Sequence, residues 1–365
     1  MRTRIDFVPY PAYGHVLPML AVAEELVLRG VRVRVVVDSR FSELVAAAGA
    51  EPISPAMRAD VYVPARIGGV GTGRYLAGRV RKRLVDRHTR HVVADLLAGE
   101  WADLTVVDPA VRAVNRFLSG SGAPAVLFST TFLSGNGLRA ARRERLALVN
   151  AIRCLQPGAA PEGARFVGPL LPKFTDLGDT SDLVYPQGDP VLYVSPGTVW
   201  AWTPAYMRAV VAAFAGSRWR VVVATGPVDP TMLGNLPDNV IARRFMPQQA
   251  VLARSSVFLT HAGMNSSLEA LAAGVPMVVR PRAADQRHIA KTLVRLEVAV
   301  RAPRTVADLR GAVESVAADA GVRAAVGVWR ERLARHTPVS DAADLLLDFV
   351  EHGQGARTGR ARSGI

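Results

Sequence analysis

The 365-residue sequence has a single cysteine, Cys154, so no internal disulfide can form and the chain fits a reducing, cytoplasmic setting. With no His or Asp beside it, that cysteine reads as a small core residue rather than a nucleophile. No run of 18 or more apolar residues occurs, and the opening MRTRIDFVPYPAYG is broken early by Asp6 and by prolines, so neither a membrane span nor a secretion signal is indicated. Aromatic residues are scarce and do not alternate with the basic ones, and no nucleic-acid-binding module appears. Acidic residues are the minority charge, 31 against 45 basic ones. The net charge of +14 suits an anionic partner such as a phosphorylated substrate or a lipid surface. Its two densest clusters, Arg79–Arg90 and Arg139–Arg145, read as solvated helix faces ahead of a docking surface.

Half the residues are hydrophobic, which excludes a disordered chain, and the length suits two domains rather than one core. The most informative stretch runs from Arg244 to His288. An apolar run at 256–260 predicts a buried strand, HAGMN interrupts it with a glycine, and an alanine- and leucine-rich helix resumes near Asn265. Ser266 and Glu269 have capping-box spacing, Gly274 sits where a helix should stop, and VPMVVRP predicts the next strand. Such a loop delivers His261, Gly263, Asn265 and Ser266 to a helix N-terminus, where unpaired N–H groups and the dipole favour an anion, with a diphosphate the expected guest.

The first half has the same rhythm. Residues 4–9 predict a strand, YPAYGHVLP a turn into a helix ended by Gly30, and 31–37 the second strand. A helix over 41–48, an irregular 53–77, a basic amphipathic helix over 78–99 and strands at 104–107, 125–128, 147–149 and 165–167 follow. The span from Thr130 to Leu146 has room for roughly one helix. Residues 168–190 have the proline, glycine and aspartate content of a linker. The second half then restarts, with strands at VLYVS, WRVVVAT and 240–245 and a helix over 204–215. Residues 293–300 and 305–320 carry helical character, and 322–352 form one terminal helix or a pair. The domains expected are 1–167 and 191–335, with a basic tail at 353–365 that has no apolar face to bury.

At the central stretch the chain resembles the nucleotide-sugar-dependent glycosyltransferases of the two-Rossmann-domain (GT-B) type, family 1, especially the macrolide and other natural-product enzymes. Phe245-Met-Pro-Gln248, His261-Ala-Gly263, Asn265-Ser266, Glu269, Gly274-Val-Pro-Met277 and Pro281 leading to Asp285-Gln286 carry the resemblance, in order and in spacing. It implies an α/β fold of two doubly wound domains facing a cleft, with acceptor binding in the first, donor binding in the second, and a terminal helix over 336–352 crossing back to the first. PAYGHVLP is similar to the family's N-terminal motif, whose histidine is the general base, and Asp108 looks like its aspartate partner.

Each residue also has a plainer reading. His15 at a strand-end loop could cap a helix, although a free imidazole titrates near neutrality and so can accept a hydroxyl proton. Asp108 could be the N-cap of a helix over 110–118 with Pro109 in its first position, and both roles can hold together. By resemblance His261 and Ser266 hold phosphate oxygens, Thr198 lies near them, Glu269 accepts from the ribose hydroxyls, and Asp285 and Gln286 bind the sugar hydroxyls. Phe245 stands where the family usually places a tryptophan against the base and still offers a stacking face. Met264 and Ile289 also depart from the plant pattern.

The expected activity is inverting transfer from a UDP- or dTDP-sugar to a hydroxyl of a natural-product acceptor, small or lipid-linked. No metal or cofactor is expected, since the seven histidines form no ligand spacing with cysteine and the family generally needs none. No nucleic-acid partner is expected, and peripheral contact with a membrane is left open by the arginine clusters. A nucleotide-sugar isomerase of the same architecture and a non-catalytic nucleotide-sugar-binding partner protein are the alternatives that the sequence leaves open.

Overall fold

The computed structural model describes residues 2–54, 102–141, 146–173, 188–198 and 202–352. The basic helix expected over 78–99 with its Arg79–Arg90 cluster lies outside the described residues. So do most of the irregular 53–77 segment, the end of the 139–145 cluster, most of the 168–190 linker and the 353–365 tail. The chain divides into two units, residues 1–174 with the chain from Pro338 onward, and residues 175–337.

In the first unit, β1 (Arg4–Val8), β2 (Arg32–Val36), β3 (Glu51–Ile53), β4 (Leu104–Val107), β5 (Ala125–Ser129), β6 (Ala147–Val149) and β7 (Ala164–Phe166) form one sheet in the order 3-2-1-4-5-6-7. Every pairing is parallel. A parallel sheet is covered on both faces, which is why its central strands β4, β5 and β6 read as nearly continuous apolar runs rather than alternations. Ile5 and Phe7 face the larger core, while Val8, Val36 and Val107 join Val111, Val114 and Leu118 in a smaller one. Asp6, fully buried between Ile5 and Phe7, is held by the Arg34 fork, with Nε 2.9 Å from Oδ1. Helix α1 (Tyr13–Leu28) follows β1, α2 (Ser42–Ala47) follows β2, α3 (Arg112–Ser121) follows β4 and α4 (Gly135–Ala141) follows β5.

Helix α1 begins inside the segment read as a turn, so Gly14 and His15 lie in its first turn and Pro18 lies within it. Proline there deletes only the bond that would close onto the Gly14 carbonyl, at a point where packing holds the helix. That packing is nearly all-round: Val16, Met19, Leu20, Ala21, Val22, Ala23 and Leu26 are all buried. The sheet covers one side, and the final helix, Pro338–His352, supplies Ala342, Ala343 and Leu346 to the same core. Arg29 clamps this helix by bonding Ser340 Oγ at 2.7 Å and pairing with Asp344, while its Nε pairs with Glu25 at 2.9 Å.

The second unit repeats the plan. Strands β8 (Val191–Ser195), β9 (Arg220–Ala224), β10 (Val240–Arg243), β11 (Val257–Thr260), β12 (Met277–Val279) and β13 (Ala299–Arg301) lie in the order 10-9-8-11-12-13, again all parallel. Helices α5 (Pro204–Phe214), α6 (Gln248–Leu252), α7 (Met264–Ala273), α8 (Ala284–Arg295), α9 (Leu309–Ala318) and α10 (Ala320–Ala334) complete it, and Pro338–His352 is α11. Trp202, Met207, Phe214, Trp219, Val278, Leu309 and Val313 are among the side chains of its core.

Two sequence expectations are corrected here. Residues 293–300 are not one helix: α8 ends at Arg295, Glu297 turns the chain at φ 59°, and β13 begins at Ala299. Asp285 and Gln286 lie in the first turn of α8. The Ser266–Glu269 capping box does not form, because α7 starts one residue earlier than expected with extended Gly263 as its N-cap. Ser266 is then the third helical residue, and Glu269 is turned towards Gln248 instead.

Among the described residues, no helix is long and apolar enough to cross a membrane. In both sheets the strand order reverses once, between β1 and β4 and between β8 and β11. Open α/β sheets bind ligands at such points, outside the carboxyl ends of the strands.

Candidate active site

In the first unit the reversal point is flanked by the loops after β1 and β4, and these carry His15 and Asp108. His15 Nδ1 lies 2.6 Å from Asp108 Oδ2. The imidazole is 29 % exposed and the carboxylate 1 %, so one end of the pair is sealed and the other is open. Asp108 Oδ1 accepts the Ala110 N–H at 2.7 Å. That bond closes a local turn. It is not the N-cap of α3, which begins at Arg112 with Val111 ahead of it, so the N-cap reading of Asp108 is replaced by a turn that orients the carboxylate. An ionised carboxylate only accepts, so this contact needs the proton on Nδ1, and in the neutral imidazole Nε2 then keeps the lone pair.

A third group completes the arrangement. Thr130 Oγ1, just after β5, is 2.9 Å from the same His15 Nδ1. Thr130 belongs to none of the motifs quoted above. Its available signal was a hydroxyl pair, Thr130-Thr131, at the end of a strand adjacent to β4. Tyr10 packs on the imidazole with ring centroids 5.2 Å apart, limiting its tilt.

In the second unit the loops after β8 and β11 flank the reversal point. Ala262 has φ 61°, a left-handed conformation that costs a non-glycine residue energy and tends to survive where function needs it. The turn drives the His261 ring between two glycines. A Cβ on Gly263 would lie 2.4 Å from His261 Nε2, and one on Gly197 would lie 2.5 Å from Cε1. Burial pushes the His261 pKa down to about 4, with the Ser195 backbone opposing the shift, so the ring is neutral at physiological pH. It can act there as a hydrogen-bond donor but not as a cation.

A second cluster lies one turn along α7. Gln248 Oε1 accepts from the Tyr193 hydroxyl at 3.2 Å, while its Nε2 donates to Glu269 Oε2 at 2.8 Å and to Ser266 Oγ at 3.3 Å. Tyr193 is itself held by stacking on Phe258, with centroids 4.7 Å apart. Burial raises the Glu269 carboxyl to about 7, against the Gln248 bond that lowers it. Gln248 therefore orients Ser266 and Glu269.

Phe245, Thr198 and Asp285 are exposed beyond the carboxyl ends of β10, β8 and β12, and Asn265 is half-buried in the first turn of α7. Gln286 is buried, and its Oε1 accepts the backbone N–H of Arg282 at 2.8 Å and of Ala283 at 3.0 Å. Whatever Gln286 offers a ligand must come from Nε2. Among the described residues, Asp348, Glu351 and His352 bring possible metal-ligand atoms within 4.8 Å of one another. All three are exposed on the last turn of α11, a spacing any helix surface produces, and none adjoins a strand end.

Comparison with known proteins agrees with this fold. The sequence model of the family described as UDP-glucoronosyl and UDP-glucosyl transferase matches residues 177–364. The NDP-glycosyltransferase YjiC of Bacillus licheniformis is 26 % identical over 381 residues, covering 93 % of this chain and 96 % of that protein. The oleandomycin glycosyltransferase of Streptomyces antibioticus is 28 % identical over 429 residues, covering 97 % and 96 %. Among solved structures, the calicheamicin glycosyltransferase CalG4 superposes with a TM-score of 0.78 at 28 % identity, covering 98 % of this chain and 100 % of that one. The glycotransferase of kitacinnamycin does so at 0.79 and 27 %, covering 96 % and 100 %. A family model over more than half of the chain, on two parallel sheets of this order, thus marks the protein as a glycosyltransferase, and the chain belongs to the UDP-glucoronosyl and UDP-glucosyl transferase family.

Proposed function

We propose that this enzyme moves a sugar from a UDP- or dTDP-sugar to a hydroxyl of a natural-product acceptor, inverting the anomeric carbon. The observation that carries the reading is the 2.6 Å contact between His15 Nδ1 and Asp108. His15 Nε2 takes the acceptor proton as the hydroxyl oxygen attacks the anomeric carbon. The bond from that carbon to the diphosphate breaks, and the nucleoside diphosphate leaves with the electron pair. A single displacement inverts the centre. Asp108 stabilises the imidazolium that forms, and Thr130 offers Nδ1–H a second acceptor.

On the donor side, His261, Asn265, Ser266 and the first amides of α7 hold the diphosphate, with Thr198 near it. Phe245 stacks on the base, Glu269 accepts from the ribose, and Asp285 and Gln286 Nε2 meet the sugar. Gly263 and Gln248 position these groups. No metal or resident cofactor enters this reading. Relatives named for oleandomycin, demethyllactenocin and 4'-demethylrebeccamycin support a natural-product acceptor.

The test is product analysis with UDP- and dTDP-sugars against a panel of hydroxylated natural products. Proton NMR of the new glycoside should report the anomeric configuration opposite to that of the donor. Retention, or donor loss without an acceptor product, overturns the proposal.

Glu269 gives a pH signature. Its ligand-free carboxyl holds a proton up to about pH 7. The carboxylate accepts from two ribose hydroxyls better than the protonated acid, whose O–H must itself donate, so binding favours loss of that proton. Affinity for a nucleotide sugar should rise by up to about tenfold per unit as pH increases from 6 towards 7, then flatten above it. Titration calorimetry in buffers of different ionisation enthalpy should register the released proton, and Glu269→Gln should abolish both the slope and the release. His261, neutral throughout this window, does not contribute to the slope.

A further inference from the structure

A nucleoside diphosphate brings at least two negative charges to the loop after β11, and the groups assigned to it are poorly matched to them. His261 is neutral near pH 7. The amino end of α7 offers only about half an elementary charge. Glu269, close by, adds negative charge once ionised. A cation at this edge would offset that charge, and Arg280 lies beside the loop.

Arg280 is the first residue after β12, the strand that pairs with β11. Its backbone N–H bonds the carbonyl of Thr260 at 2.8 Å, so its main chain runs beside the residue immediately before His261, at the interstrand spacing of about 4.8 Å. An extended arginine side chain easily reaches a group held in that loop. Alternation along the strand turns Arg280 to the same face as Val278, where α5 packs, and its guanidinium lies 4.0 Å from the ring centroid of Tyr206 on that helix. The aromatic face holds the cation without using up its charge. Among the described residues no carboxylate pairs with it, although Arg29, Arg34 and Arg244 each have one. Arg301 also ends a strand, but it is exposed and one strand further from His261. Arg243 ends β10, three strands from β11.

We propose that Arg280 is a donor-binding residue whose guanidinium fork engages an anionic oxygen of the nucleotide sugar. Two sources supply that chemistry, the diphosphate itself and a carboxylate on the transferred sugar. The inference rests on the donor-site reading above, and it makes this chain's selectivity depend on a residue that reading does not use.

The test compares wild type with Arg280→Met, which keeps an unbranched apolar stem over Tyr206 and removes the charge, and with Arg280→Gln, read in its place should the methionine variant not fold. Calorimetric affinities are measured for UDP, dTDP, UDP-glucose and UDP-glucuronate at two salt concentrations, with melting temperatures of the free proteins. The expected result is a tenfold to hundredfold loss for all four ligands, with a weaker salt dependence than wild type; this assigns the contact to the diphosphate. A loss confined to UDP-glucuronate assigns it to a sugar carboxylate. Unchanged affinity of a folded variant for all four ligands overturns the inference. Wild type that binds none of them overturns the donor-site reading instead, which keeps the two failures apart.

Discussion

Replacing His15 by Ala should lower the turnover number at saturating donor and acceptor by two to four orders of magnitude and leave nucleotide affinity within about twofold of wild type. The split is the informative part. His15 is in the first unit and is 29 % exposed, so its truncation opens no large cavity, whereas every residue assigned to the diphosphate lies in the second unit. A loss of less than tenfold with donor binding intact would show that another group takes the acceptor proton. Asp108→Asn sharpens the test. The Ala110 N–H, now satisfied by Asp108 Oδ1 at 2.7 Å, should retain the amide oxygen and turn its NH2 towards His15 Nδ1. Nδ1 would then have to accept, the proton would move to Nε2, and the base would be lost although the ring had not moved. Stability should change little, because the local turn survives.

Gly197→Ala should disable the donor site from behind. The new Cβ would meet His261 Cε1 at 2.5 Å at a backbone φ of +81°, so the variant suffers both a collision and a left-handed alanine. A destabilisation of about 1–3 kcal/mol is expected from chemical denaturation, with nucleotide affinity reduced tenfold or more as the imidazole is displaced. Gly263→Ala isolates the collision, since its Cβ would lie 2.4 Å from His261 Nε2 but its φ is −69°. Combining either substitution with His261→Ala removes the obstacle. The double variants should be less destabilised than the sum of the singles, by at least about 1 kcal/mol for Gly263. Additivity within about 0.3 kcal/mol would mean that the glycines serve the backbone alone and that the ring is not cradled.

The elements that sequence periodicity located well are those whose character is local. Strands β4, β6 and β8 match their expected spans because fully buried parallel strands leave unbroken apolar runs bounded by polar turns. Gly274, at φ 72°, ends α7 where a glycine was expected to end it. The misreadings share a cause. The Ser266–Glu269 spacing satisfies a capping rule, but the rule assumes a start that Gly263 takes instead, and Glu269 finds its partner in Gln248, 21 residues earlier. The segment 293–300 has helical composition throughout, and only pairing of β13 with β12 pulls its second half into the sheet.

The amino-acid sequence on its own determined the alternation of strands and helices, the glycine-marked loop before α7, and the residue types suited to proton transfer and to phosphate. These follow from steric and hydrogen-bonding preferences that act over a few positions. Tertiary structure alone decided that His15 and Asp108, 93 residues apart, come within hydrogen-bond distance, that Thr130 joins them, and that Gly197 and Gly263 close on one imidazole. It also decided that Arg280 stands beside the strand end leading into His261, with its guanidinium over the Tyr206 ring. Each of those depends on which strands become neighbours where the sheet order reverses, and that is set by burying both faces of the sheet at once, a condition on the whole unit that no short stretch of chain encodes.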